Sequence, residues 1–429
     1  MPYIKFNNIE DYWKVCGISA LIIIGLIARD SFGININKYL FLLLALIPII
    51  FARIKSVAVF SCFLIPLYIG LPGNLISVFL LLRLLFEAIK NKITIRKTGF
   101  ILTIIVVVYI LLQDFFTDFT EVFHLMAALD FIVLALIMSV LRESKAGLES
   151  VIAYSVGNFI AGAVMLSATL SYYSLQELMN PATRLGYTGM LTGNSGASMA
   201  TSIDPNFYAM NTIASISTVL LLYADIKSKK MKILALTSII GSTICCLIGL
   251  SRTFVILLIV WGVLWLLSQG NLKRNFLVLF IISLLTISFF QFMPTITDAI
   301  NARFNGADMI GGNGRVNLII IYFNQWCDNI LSVLFGIGLF NCHTHCTPLM
   351  YLFGLGVVGV MPLFAWFVYQ WHRCKRSSVN FTFKSVIPFL LTFVAYSAIP
   401  AAGAINYTLP LLVSMIVLVR IQQTEDVNE

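Results

Sequence analysis

"NCHTHCTPLMYLFGLGVVGV", residues 341–360, is the stretch on which the reading of this chain turns. Two cysteines bracket two of the chain's four histidines, and three chemistries compete for the segment. Cys342, His343, His345 and Cys346 have the composition of a metal site. "GLGVVG" at 354–359 matches the G-x-G-x-x-G spacing of a dinucleotide loop. Yet apolar residues continue without pause to about residue 370. A nucleotide loop needs a preceding strand and a βαβ unit, and neither forms inside an apolar span. The glycines are therefore expected to let neighbouring helices approach closely. Four potential ligands within five residues rarely converge on a tetrahedron, and no second ligand pair stands elsewhere, so no metal is expected. What remains is a histidine pair at the mouth of a membrane helix.

The composition supports that reading. Hydrophobic residues make up 59% of the 429 and charged residues only 11%, with a mean hydropathy of +0.93. A water-soluble domain cannot bury so much apolar surface, so a bilayer is the expected solvent and residues 1–429 are read as a single integral membrane domain. The first apolar run, about 15–28, lacks a small-residue cleavage site and is expected to open a series of spans. The eight cysteines show neither zinc-ribbon nor C-x-x-C spacing and form no framework.

Apolar windows of about 16–25 residues fall near 14–28, 38–52, 56–71, 73–90, 98–113, 121–141, 148–172, 206–224, 232–249, 253–269, 275–293, 347–370, 385–400 and 405–421. Several are short for a span, so the expected fold is an all-α polytopic membrane protein with about 12–14 transmembrane helices. Basic clusters at Arg53/Lys55, Lys90–Lys97, Arg142/Lys145, Lys227–Lys232, Lys273/Arg274 and Arg373–Lys384 all fall on one side of that topology. The positive-inside rule assigns this side, with both termini, to the cytoplasm. The net charge of +9 thus orients the protein, and no nucleic-acid partner is expected. The other face carries the acidic stretch "QDFFTDFTE" (113–121) and two long loops, 173–205 and 294–346. Long loops on a compact scaffold usually carry function, and the second ends at the histidine pair.

Basic residues are few on that outer face: Arg184 in "TRLGYTG", Arg252 in "GLSRTFVILL", Arg303, and Arg315 in "GGNGRVNLIIIYF". A lone arginine at a helix end can simply snorkel to headgroups. Several around one loop system suit a phosphate ligand, which guanidinium forks grip bidentately. "SIDPNFYAMN" (202–211) reads as a helix start, with Asp204 as N-cap and Pro205 at the first helical position; Asn206 follows on the same outer end. Within the spans, Arg83 and Glu87 stand at i, i+4 and can neutralise each other. Asp130 sits mid-span with no partner evident in sequence. An intramembrane acid can mark an ion pathway, which leaves a transporter or flippase as a reading from another functional class.

Taken in order, these segments resemble the O-antigen polymerase (Wzy) and O-antigen ligase superfamily. "HCTPLMYLFGLGVVG" resembles that family's H-N-x-x-L…G-x-x-G pattern, with Cys346 where the family usually has Asn. "GLSRTFVILLIVWG" is similar to its Ser-Arg segment opening a membrane helix. "GNGRVNLIIIYFNQW…LFGIGLF" is similar to its Gly-Arg helix and f-G-x-G turn in the large periplasmic loop, and "RLGYTG…DPNFYA" to elements most frequent in the polymerases. The resemblance spans roughly 180–360. It implies a GT-C-like glycosyltransferase in the bacterial inner membrane, using undecaprenyl-diphosphate-linked oligosaccharide on the periplasmic side without a metal or other cofactor. It implies His345 as general base, with Arg252 and Arg315 meeting charge on the leaving diphosphate. Arg184, Asp204, Asn206, Arg303 and His343 are the implied substrate contacts. Membrane lipid and a chain-length regulator protein are the further implied partners. "DPNFYA" favours a polymerase, which extends a lipid-linked chain by one repeat unit, over a ligase, which transfers the chain to lipid A–core.

Overall fold

The computed structural model describes residues 13–90, 96–113, 121–144, 146–171, 205–249, 251–268, 315–376, 382–399 and 405–416, with a few isolated positions between them. Every regular element among these residues is helical. After a π-helical turn at Trp13–Gly17 come α1 (Ile18–Asp30), α2 (Lys38–Phe51), α3 (Ile54–Leu64, continued by the 3-10 turn Ile65–Gly70), α4 (Gly73–Ile89) and α5 (Lys97–Leu112). Then follow α6 (Glu121–Glu143), α7 (Gly147–Leu170), α8 (Pro205–Leu222), α9 (Lys229–Ile248) and α10 (Arg252–Leu267). The last group is α11 (Arg315–Cys327), α12 (Ile330–Phe335), α13 (Thr347–Arg376), α14 (Phe383–Tyr396) and α15 (Ile405–Ile416). Thirteen of the fourteen apolar windows carry one of these helices; the window at 275–293 lies outside the described residues. Five helices, in α6, α7, α8, α9 and α13, are long and apolar enough to cross a membrane, and several others are shorter apolar helices.

An all-helical answer is what an apolar chain in a bilayer requires, because a helix pairs its backbone polar groups internally. The outer surface agrees. Ile256, Ile259, Val263 and Leu267 of α10, and Val357, Met361, Phe364 and Val368 of α13, form exposed apolar stripes at three- to four-residue spacing. In water such stripes would be an aggregation liability; against acyl chains they are at rest.

Helices α7 and α8 lie at the centre. α7 packs against α1, α3, α8 and α9, and α8 packs against α9, α10, α14 and α15. Between apolar helices in lipid there is little hydrophobic drive, so small residues and interhelical hydrogen bonds carry association. Both devices are present. Gly157 of α7 meets the Phe63 backbone so closely that a Cβ there would collide with it. Asn158 donates from Nδ2 to Thr212 Oγ1 on α8 and to Ser242 Oγ on α9, each at 3.2 Å. The Tyr154 hydroxyl donates to Asn211 Oδ1 at 2.9 Å. The i, i+4 pair Arg83 and Glu87 does form its ion pair, 3.1 Å apart on α4. Asp130 is buried and lines a cavity of about 20 Å³ with Tyr351 and Thr408 among otherwise apolar residues, room for one water molecule.

One element departs from expectation. The apolar run after the histidines reads as an unbroken helix, but α13 is interrupted at Gly356, whose φ of 66° and ψ of 178° are not helical. The cause lies in distant segments and belongs to the site.

Candidate functional site

The break in α13 is held from two sides. Gly336, with φ +87°, ends α12, and the chain then runs alongside the broken turn: Ile337 N–H donates to the Phe353 carbonyl at 2.9 Å and Gly338 N–H to the Gly354 carbonyl at 3.0 Å. From α5, the Tyr109 hydroxyl donates to the Leu355 carbonyl at 2.7 Å, with the Phe335 carbonyl 3.1 Å away, and Gln113 Nε2 donates to that same Phe335 carbonyl at 3.0 Å. These partners take up carbonyls released by the interruption, as buried backbone demands. Glycine is obligatory here. A Cβ on Gly336 would strike the Gly354 carbonyl, and one on Gly356 would strike the Gly336 amide and the Leu334 carbonyl. The "GLGVVG" glycines therefore do serve close packing, but only Gly359, against the Tyr109 ring, meets another long helix. Gly354 and Gly356 receive the backbone of the "FGIGL" turn.

That turn delivers the histidine loop. Cys342 is fully buried and packs with Met350 and Phe353. Burial pushes its thiol up to about 12, against a smaller lowering by hydrogen bonds from Thr344, so it is a protonated core residue at neutral pH. His343 is exposed and Cys346 half-buried. His345 has φ +52° and is the only non-glycine residue with positive φ among the described residues. Histidine is one of the residues that tolerates this region, and such conformations persist where the surroundings enforce them. The enforcing contact spans it: the Thr344 hydroxyl donates to the Cys346 carbonyl at 3.0 Å, and that carbonyl also accepts the Met350 amide at 2.8 Å, opening α13. All eight cysteines are free thiols. Among the described residues no three His, Cys, Asp or Glu side chains converge as metal ligands would.

The arginines reach the same end of the bundle through backbone carbonyls. Arg315 opens α11 and its Nη1 donates to the Ala398 carbonyl at 3.2 Å; Thr347, two residues beyond His345, donates from Oγ1 to the next carbonyl, Ile399, at 2.6 Å. The turn after α14 thus ties the arginine helix to the histidine loop. α14 packs on both α8 and α10. Its last residue, Tyr396, lies near Tyr154 and Tyr351, and Tyr154 bonds Asn211 in the second turn of α8. The N-terminus of α8 is therefore at this end. There Ser251 Oγ caps α10 by accepting the Phe254 amide at 3.3 Å and donates to Asn206 Oδ1 at 3.0 Å. One hydroxyl joins Asn206 to the segment carrying Arg252.

Ser251 thus joins the first turn of α8 to the cap of α10, and the 398–399 turn joins Arg315 to the start of α13; each of these helix N-termini is the positive end of a dipole. This is an environment suited to an anion. Arg184, Asp204 and Arg303 lie outside the described residues, so the Asp204 cap does too; α8 is described from Pro205. Sequence reasoning missed Tyr109, Gln113, Thr344, Thr347 and the 396–399 turn. Only Thr347 had a local signal, a hydroxyl at a helix start. Comparison with protein-family models, curated proteins and solved structures yields no match.

Proposed function

We propose that the chain is an inverting, metal-independent glycosyltransferase of GT-C-like architecture that polymerises a surface polysaccharide. It works on the periplasmic side of a bacterial inner membrane, with both termini in the cytoplasm. Its donor is a glycan linked through diphosphate to undecaprenol, and its acceptor is the next lipid-linked repeat unit. The observation that carries this reading is the pair of adjacent carbonyls, Ala398 and Ile399, gripped by Arg315 and Thr347. It ties the Arg315 guanidinium and the start of the helix after the histidine loop to one turn.

In this scheme the acceptor hydroxyl gives its proton to the His345 imidazole as its oxygen attacks the anomeric carbon. The bond from that carbon to the diphosphate oxygen breaks, and direct attack inverts the configuration. Negative charge grows on the leaving diphosphate, and Arg252 and Arg315 meet it, a preorganised electrostatic role worth several kcal/mol at such sites. One donor of Arg315 is committed to Ala398, which orients the fork and leaves its other donors for the diphosphate. Arg184 adds a third contact; Asp204, Asn206, Arg303 and His343 bind the glycan and its diphosphate. The guanidiniums supply the countercharge a metal would otherwise provide.

The test is inactivation in the native host. Loss of a polymerase leaves lipid A–core capped by a single repeat unit. If no repeat unit reaches the core and lipid-linked polymer accumulates, the chain is the ligase. If neither polymer nor capped core forms and lipid-linked units are stranded on the cytoplasmic leaflet of the deletion strain's membrane, the flippase reading replaces both.

A further inference from the structure

The far end of α6 and α13 holds a second basic feature that the transfer chemistry does not use. At the histidine end, His124 of α6 stacks edge-on against Phe340, ring centroids 4.9 Å apart. Midway, Phe131 meets Trp366 at 4.5 Å. At the other end, Arg142 Nη1 donates to Gln370 Oε1 at 3.3 Å. Eighteen residues of helix separate His124 from Arg142, about 27 Å at the α-helical rise, close to one hydrocarbon thickness.

Arg142 is unusual there. Its residue is 7% exposed, and its one side-chain hydrogen bond among the described residues is that long contact to a neutral amide. Its Nε is buried with no hydrogen-bond partner among the described residues. The neighbouring charge is of like sign: Arg373 sits one helical turn past Gln370 on α13, whereas Glu143, the acid next to Arg142 in the chain, is exposed. A buried guanidinium beside a second one, with donors unspent, calls for an anion. Forked donors at a bilayer boundary suit phosphate oxygens.

We propose that Arg142 and Arg373 form a phosphate-binding site at the end of the bundle opposite the histidine loop, occupied by the phosphate group of an anionic lipid or by free phosphate. Gln370 positions Arg142 within it. Both arginines belong to the basic clusters that the positive-inside pattern sets at the cytoplasmic face, where anionic headgroups are available. Each helix joins this site to the histidine end, so an occupied site would brace α6 against α13.

The test uses the purified full chain, offered equimolar phosphatidylglycerol and phosphatidylcholine in mixed micelles, with retained lipid read by native mass spectrometry. Separate thermal melts contain phosphatidylglycerol or sodium phosphate at matched ionic strength. The expected result is selective retention of phosphatidylglycerol by the wild type, with apparent affinity falling about fivefold for each of Arg142→Gln and Arg373→Gln. Stabilisation by sodium phosphate that both variants lose would assign the site to free phosphate, and stabilisation by phosphatidylglycerol alone would assign it to a lipid headgroup. Equal retention of both lipids by the wild type, without any phosphate-dependent shift in melting, overturns the proposal. So does wild-type selectivity in a folded Arg373→Gln variant, which decides the matter should Arg142→Gln not fold.

Discussion

At the scale of single residues, the histidine loop sets a half-buried His345 beside an exposed His343. His345 is fixed by its own left-handed backbone and by the Thr344 clasp across it. His343 is exposed two residues earlier. Replacing His345 with Asn is the informative change, because Asn tolerates positive φ but cannot accept a proton near neutral pH. Polymer synthesis should fall about 10²- to 10⁴-fold, the usual loss for a general base, while the melting temperature stays near wild type. His343→Ala should lose markedly less than His345→Asn, as a substrate contact and not the base. Both are measured on the same purified preparations, and normal synthesis by His345→Asn would remove the base. The cysteines make a second residue-scale prediction. With its pKa raised to about 12 by burial, Cys342 is a thiol at pH 7.5 and should resist a maleimide that modifies Cys346. The raised value also fixes the sign of its pH effect: its contribution to stability is complete below the ordinary thiol value of 9.0 and is lost as pH climbs toward about 12. Melting curves of wild type and Cys342→Ala should converge over that alkaline window and run parallel below it.

At the scale of elements, the broken α13 is the feature on which the loop depends. Tyr109→Phe removes one hydroxyl from a buried carbonyl, and such a loss costs about 1–3 kcal/mol. Gly356→Ala should do worse, since a Cβ there collides with backbone at a positive φ. Gly359→Ala meets a Tyr109 ring instead, a neighbour that can turn aside more readily than backbone. Thermal melts should rank them Gly356→Ala below Gly359→Ala; the reverse order would mean that the interruption is not held as described. The same element shows where sequence reading succeeds and where it stops. Ser251 caps α10 by chemistry between near neighbours, the kind of signal a local sequence carries. The "FGIGL" turn is legible only through the resemblance its motif carries. The interruption is not, because an apolar run looks continuous and the groups that stabilise its opening, Tyr109 and the 337–338 amides, come from elsewhere in the chain. The link from Arg315 to Ala398 crosses 83 positions and leaves no local trace at all. Composition and caps thus reveal which helices exist, while the meeting of their ends is a tertiary fact.

At the scale of the whole molecule, an apolar helical bundle carries Arg142 and Arg373 near one end of α6 and α13 and, at the other, the turn that ties Arg315 to the start of α13. The basic clusters predict sidedness. With native cysteines removed, a single cysteine at position 308 should react with a membrane-impermeant maleimide from the periplasmic side, whereas one at position 228, between α8 and α9, should not. Equal labelling of both would break the orientation on which the proposed reaction rests. The claim that matters most is that this chain by itself joins lipid-linked glycans through His345 and Arg315. It is tested most directly by reconstituting the purified protein in liposomes with undecaprenyl-diphosphate-linked repeat units, in the presence of a chelator, and resolving the lipid-linked products by length. The account predicts a ladder of polymer from the wild type, unaffected by chelation, its absence with His345→Asn, and a sharply shortened ladder with Arg315→Lys, since lysine supplies charge without the fork. Unextended donor with active-site-intact protein, or an undiminished ladder from both variants, would contradict it.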